Sequence, residues 1–332
     1  MLRAMLRRHA VLLAATATLL PWGCGDGAAR DGSPRGDRAP VPGAPAREEP
    51  AKLLVVATTP MAGDLVRAVA GEHAEVVDLV PRGTDPHLWT PTRSDILRLL
   101  DADAVFLNGL LLEGRAGDAF GRVEASGRPV VRLAETLPRQ DLLTDPANPS
   151  QFDPHVWMDP VLWAATAPAV ADALASIAPA HREEFDRRAG RLAAEADELD
   201  AEIARMTGSI PVAFRTLVTA HDAFGYFGRR YGLEVRGVQG VSTESEASLA
   251  GVEALVAFLV EARIPAVFAE TTVADRSVRA IVEGAAAAGH EVRLGEPLHS
   301  DSTGPAGSPE GTWTGMLRHN ARAITRALGG RP

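Results

Sequence analysis

Short apolar runs alternate along the chain with stretches whose apolar residues recur every three to four positions. The first run is Lys52-Leu53-Leu54-Val55-Val56-Ala57, and Thr58-Thr59-Pro60 ends it. Its length and β-branching predict a buried strand. Residues 60–71 carry a helical pattern closed by Gly71. Further strands are predicted at Ala74–Val80, Ala104–Leu107 and Pro129–Leu133, with helices at 92–101 and 113–126. Strands alternating with helices imply a mostly parallel sheet covered on both faces.

Residues 160–208 break the alternation. They hold no strand-like run and are rich in Ala, Leu, Glu and Arg. Pro160 starts one helix and Pro179 a second, which Gly208 and Pro211 end. At 1.5 Å per residue the second helix would be about 44 Å long, enough to cross a domain. The alternation then resumes. Strands are predicted at Thr216–Thr219, Leu233–Val238, Ala266–Ala269 and Glu291–Leu294, and helices at 222–231, 245–262, 275–288 and 310–328. The fold class expected is α/β: two β/α lobes with mostly parallel sheets, bridged by one long α-helix. The lobes are placed at 51–178 and 210–332, and the linking helix at 179–209.

The first 50 residues follow a different logic. Arg3, Arg7 and Arg8 precede an eleven-residue apolar run, Ala10–Leu20, too short to span a bilayer. Pro21-Trp22-Gly23 leads to Cys24, the only cysteine. A small residue and then Cys after such a run is the pattern of a lipoprotein signal peptide, here 1–23, with Cys24 as the lipid-bearing residue. Residues 24–50 are rich in Gly, Pro and charge and read as a disordered tether. The expected location is exported and lipid-anchored to the outer face of the cytoplasmic membrane.

Charge and cysteine count narrow the chemistry. The 332-residue chain carries a formal charge of −9, and loss of residues 1–23 removes three Arg and no acid, giving −12. A nucleic-acid partner is disfavoured by that sign. One cysteine supports no disulfide framework and no Cys-based zinc site. Any metal site must therefore use His, Asp and Glu.

Four candidates fall after predicted strands, where open α/β sheets bind ligands. His87 lies in Asp85-Pro86-His87-Leu88-Trp89 and His155 in Asp153-Pro154-His155-Val156-Trp157. The shared Asp-Pro-His-x-Trp is an echo in an otherwise unrepeated chain. His221 follows the Thr216–Thr219 strand, and Asp301 follows Glu291–Leu294. His299 is the rival to Asp301. A lone loop His is more often plain surface, and Asp in a Ser/Gly loop is most often a turn former. His73, His181 and His290 read as solvent-facing, and His319 as structural.

The segments Asp85-Pro86-His87, Asp153 through Pro160 and His221-Asp222-Ala223-Phe224-Gly225-Tyr226-Phe227 resemble the metal-binding receptors of bacterial zinc and manganese ABC importers. So do Gly240-Val241-Ser242-Thr243-Glu244-Ser245-Glu246 and Ser300-Asp301-Ser302 through His319-Asn320. The resemblance covers about residues 51–330 and implies a metal site between the lobes, held by His87, His155, His221 and Asp301. It implies as partners a membrane permease with its cytoplasmic ATPase. Two departures stand out. Residues 134–154 hold no His, so the His-rich loop of many zinc members is absent, and His221 stands where many manganese members have Glu.

Three imidazoles and a carboxylate suit Zn2+, with Mn2+ as the second candidate. Asp222 and Glu270 are the expected acceptors for imidazole N–H groups. Ordinary imidazole pKa values would make zinc affinity fall between about pH 7 and pH 5. The competing classes are an exported zinc-dependent hydrolase and a metal-dependent adhesin. Against the hydrolase, four side-chain ligands would leave no open position for water, and no His-Glu-x-x-His occurs.

Overall fold

The computed structural model describes residues 52–332; the proposed signal peptide, Cys24 and the tether lie outside the described residues. In the first lobe β1 (Leu53–Ala57), β2 (Ala74–Asp78), β3 (Ala104–Leu107) and β4 (Val130–Arg132) form one parallel sheet ordered β2-β1-β3-β4. Val55, Val56, Ala57 and all of β3 are buried, as strands covered on both faces must be. Between them run α1 (Pro60–Ala70), α2 (Arg93–Asp101) and α3 (Gly117–Ala125). Thr59 caps α1 with Pro60 at its first turn, and Thr92 with Asp95 forms a reciprocal capping box on α2.

The second lobe repeats the plan. β5 (Thr216–His221) pairs in parallel with β6 (Glu234–Gln239), and β7 (Ala266–Val267) with β8 (Arg293–Leu294). A parallel bridge from Thr219 to Phe268 joins the pairs, so the order β6-β5-β7-β8 mirrors that of the first lobe. Helices α7 (Gly225–Tyr231), α8 (Leu249–Ala262), α9 (Arg276–Ala287) and α10 (Trp313–Ala327) connect and flank these strands.

After β4 the chain forms α4 (Pro160–Ala164) and α5 (Ala167–Ile177), and then the long linking helix α6 (Arg182–Gly208). The 27 residues of α6 extend about 40 Å. Phe185, Ala189, Leu192, Ala196, Leu199, Ile203 and Met206 form its buried stripe at helical spacing. Helix α6 packs against α1, α4, α5, α7 and α10.

Several boundaries differ from the sequence expectation, each for a local reason. The helix expected from 113 starts at Gly117, because the buried Glu113 carboxylate accepts the backbone N–H groups of Asn108 and Gly109 and the Thr58 hydroxyl. Those bonds hold a tight turn with Gly109, Leu110 and Leu111 at φ of 83°, 51° and 67°. The helices expected from 245 and 310 begin at Leu249 and Trp313, where Ser248 and Thr312 cap them. The helix from Pro160 breaks at Ala165–Thr166, where the Thr166 hydroxyl donates to the Trp163 carbonyl. His73 and His181 do not face solvent freely. Their rings stack at 3.9 Å, and His73 Nε2 lies 2.9 Å from Glu184 at the start of α6.

Candidate metal centre

The loops after β2 and β4 bring His87 and His155 to the interlobe cleft, while β5 ends on His221 and the loop after β8 carries Asp301. In both Asp-Pro-His segments the Asp side chain accepts the His backbone N–H two residues on: Asp85 Oδ1 from His87 and Asp153 Oδ1 from His155, each at 2.9 Å. This is an Asx turn, and Pro between the two has no N–H to compete. The echo in sequence is thus one local structure used twice. The two Trp residues diverge. Trp157 donates from Nε1 to the Ser300 carbonyl at 2.8 Å and so fixes the Asp301 loop, whereas Trp89 packs in the core between the first sheet and its outer helices.

One atom from each of the four side chains lies within 4.8 Å of the other three. His155 Nε2 is 3.3 Å from both His87 Nε2 and His221 Nε2. Asp301 Oδ1 is 3.3 Å from His155 Nε2, and its Oδ2 is 3.3 Å from His221 and 3.9 Å from His87. Four donors about 2.05 Å from a tetrahedral Zn2+ would stand about 3.3 Å apart. Neither Asp301 oxygen has a hydrogen-bond partner, although the residue is 1% exposed. A buried carboxylate needs positive charge opposite it, which protonated His155 and His221 supply without metal and a bound cation supplies in their place.

The imidazoles are aimed from behind. Asp153 Oδ1 lies 2.7 Å from His155 Nδ1. Glu270 accepts the His221 backbone N–H through Oε1 at 2.8 Å, and its Oε2 is 2.5 Å from His221 Nδ1. Each carboxylate therefore grips both the backbone and the ring of one His. With Nδ1 protonated toward the acid, Nε2 presents its lone pair to the cleft. Glu270 was expected here; Asp222 was not placed in that role. Asp222 bonds through its backbone N–H to the Gly240 carbonyl, and the carboxylates behind the ligand imidazoles are those of Asp153 and Glu270. Asp153 takes that place. Its signal was present in the repeated motif, one turn-forming Asp before each His.

Burial and these partners shift the titrations apart. Burial lowers His155, but Asp153 and Asp301 more than offset it and push it up to about 9. His221 is likewise held well above its ordinary value against burial, by Glu270 and then Asp301. His87 falls to about 3 through burial. Asp301 would rise on burial alone, yet His221 and His155 hold it well below the carboxylate range. His299 lies outside the cluster. Its backbone N–H donates to Asn320 Oδ1 at 2.9 Å, its carbonyl accepts from Asn320 Nδ2, and its Nδ1 faces Thr271.

Known proteins share this fold. The family model described as "Zinc-uptake complex component A periplasmic" matches residues 55–327. The "Zinc-binding protein TroA" of Treponema pallidum is 42% identical over 277 residues, 83% of this chain and 89% of that one. The "Manganese-binding lipoprotein MntA" of Bacillus subtilis is 39% identical over 278 residues, 83% and 90% of the two chains. The solved structure of the periplasmic zinc-binding TroA superposes with a TM-score of 0.81, covering 85% of this chain and all of that one. Fe(III)-bound YtgA from Chlamydia trachomatis, 29% identical, gives 0.75 over 84% and 99%. With a family match across the whole two-lobed body and a relative at 42% identity, the chain belongs to the ZnuA family of periplasmic zinc-uptake components.

Proposed function

We propose that this protein is an extracytoplasmic solute-binding receptor that captures a divalent transition metal and delivers it to an ABC permease driven by a cytoplasmic ATPase. His87, His155, His221 and Asp301 are the ligands, and Zn2+ is favoured over Mn2+. The observation that carries this reading is three buried imidazoles and a buried carboxylate gathered with one donor each within 4.8 Å of the others. Mn2+ prefers more oxygen donors, which Asp301 alone supplies poorly. The relatives do not decide the cargo, since one is named for zinc and another for manganese at nearly equal identity.

The division proposed is a first lobe to residue 178, the linking segment 179–209 and a second lobe from 210. Anchoring through Cys24 on the outer face of the membrane keeps the receptor near its permease. A hydrolase is the weaker reading, because four protein ligands close the site that catalytic zinc keeps open for water. The test is metal analysis of protein purified from its native host, paired with uptake of labelled Zn2+ and Mn2+ by a deletion strain. Native protein carrying neither metal, with uptake of both unchanged, would remove the proposal. The Irving–Williams order makes recombinant loading uninformative about the physiological metal.

A further inference from the structure

The cleft is sealed unequally. Away from the solvent opening beside His87, the lobes are joined by buried or partly buried bonds. Trp157 donates to the Ser300 carbonyl at 2.8 Å, Trp313 Nε1 to the Trp157 carbonyl at 2.9 Å, and the Tyr226 hydroxyl to the Asp153 carbonyl at 2.8 Å. Arg82 reaches the Gly311 carbonyl, and the Gly83 N–H the Ser302 hydroxyl, both at 2.8 Å. That opening is a cleft of about 390 Å³, lined by His87, Leu111, Arg115, Phe152, Val241 and Glu244 among others. Of the four ligands only His87 lines it. His87 is 6% exposed, against 0–1% for the other three, and it stands farthest from Asp301, at 3.9 Å.

Two bonds join the lobes beside this opening, whose lining holds Arg115 and Glu244 together with His87 and Ser242, the neighbours in sequence of Asp85 and Thr243. The Thr243 hydroxyl of the second lobe donates to Asp85 Oδ2 at 2.6 Å, while Asp85 Oδ1 holds the His87 backbone N–H. Arg115 donates to Glu244 at 3.0 Å and to the Leu88 carbonyl at 3.3 Å. The Arg115–Glu244 pair is about half exposed on both sides and screened by salt, so it contributes little. Thr243 is 8% exposed and its bond is to a carboxylate, so it is the stronger tie.

We propose that Asp85 and Thr243 form the latch of the cargo gate, with Asp85 a positioning residue that couples the His87 loop to the 241–246 segment of the opposite lobe. Metal enters and leaves on this side when the latch opens, and the latch sets the residence time. The inference rests on the receptor reading above.

The test uses the full-length protein loaded with Zn2+ alone, with release followed by stopped-flow against a chelating dye. Thr243→Val keeps the volume and removes the hydroxyl; Thr243→Ser keeps the hydroxyl. A hydrogen bond to a charged group corresponds to about a tenfold change in rate or more. Thr243→Val should therefore release Zn2+ about tenfold faster, and Thr243→Ser within about twofold of the unaltered protein. Release by Thr243→Val at the unaltered rate would overturn the latch. Equal acceleration in both variants would overturn it too, since packing and not the hydroxyl would then be responsible. Unaltered protein that retains no Zn2+ would instead overturn the receptor reading, which separates the two failures.

Discussion

The pH dependence of metal binding should be governed by two protons held at the site. In the metal-free cluster His155 and His221 keep their protons at pH 7, because Asp153 and Glu270 stand behind them and Asp301 before them. His87 is already neutral, since burial has taken its pKa down to about 3. Zn2+ must displace both protons to reach the Nε2 atoms, so two positive charges replace two in a buried site. A raised pKa keeps the proton on to higher pH, so affinity should climb as pH rises, with the His155 contribution lost only above about 9. Two coupled protons give a slope of about two decades in Kd per pH unit, or about 2.7 kcal/mol, from 1.36 kcal/mol per proton per unit. Between pH 8 and pH 6 the His155 proton alone should weaken the Kd for Zn2+ by about two decades, and the His221 proton adds to that. This places the steep region higher than ordinary imidazoles would, which titrate near 6.5. Calorimetry in buffers of differing ionisation enthalpy measures the protons released. About two are expected at pH 7 for the unaltered protein and about one for Glu270→Gln, in which His221 loses the carboxylate that raises it. Release of less than one proton at pH 7 by the unaltered protein would refute the assignment of charges.

Three further outcomes are expected. Asp301→Ala removes the only anionic donor and should weaken Zn2+ binding by at least a hundredfold, while His299→Ala should change it by less than about threefold; titration against a competing chelator reads both, and the reverse order would make His299 the ligand. Zn2+ at 1,000 times its Kd should stabilise the fold by about 4 kcal/mol, visible as a thermal midpoint raised by roughly ten degrees in a scan with and without metal. Cys24→Ser should move the protein from the membrane fraction to the soluble one, and a variant still found with membranes would refute the anchor.

The fold was legible because its elements follow simple periodicities. The apolar runs at Leu53–Ala57 and Ala104–Leu107 are buried strands, and the stripe from Phe185 to Met206 is the buried face of α6. What the sequence did not yield was side-chain competition at element ends. Glu113 falls within a helical pattern, yet its carboxylate is taken by Asn108 and Gly109, and no periodicity reports that. The site was legible through position and repetition: two Asp-Pro-His segments, and a His closing a strand. The choice of Glu270 over Asp222 behind His221 depends on which carboxylate the second sheet brings to Nδ1, a fact of three-dimensional register. Neighbouring position in sequence misled there. The opposite pKa shifts of three imidazoles in one cluster were equally invisible, because they depend on Asp153 and Glu270 serving two rings and not the third.

The long helix also acts as a phase setter between the two halves of the site. His87 and His155 precede α6 in the chain; His221 and Asp301 follow it. Removing one residue from within its 27 would turn everything downstream by about 100° and draw it in by about 1.5 Å. Donors now spaced for one ion would then point past one another. The length of this rod is therefore constrained far more tightly than its letters. Its exposed positions, such as Glu195, Asp197 and Glu198, are free to vary in kind but not in number. Relatives that bind through the same four positions should differ along this stretch by substitution and hardly ever by insertion or deletion.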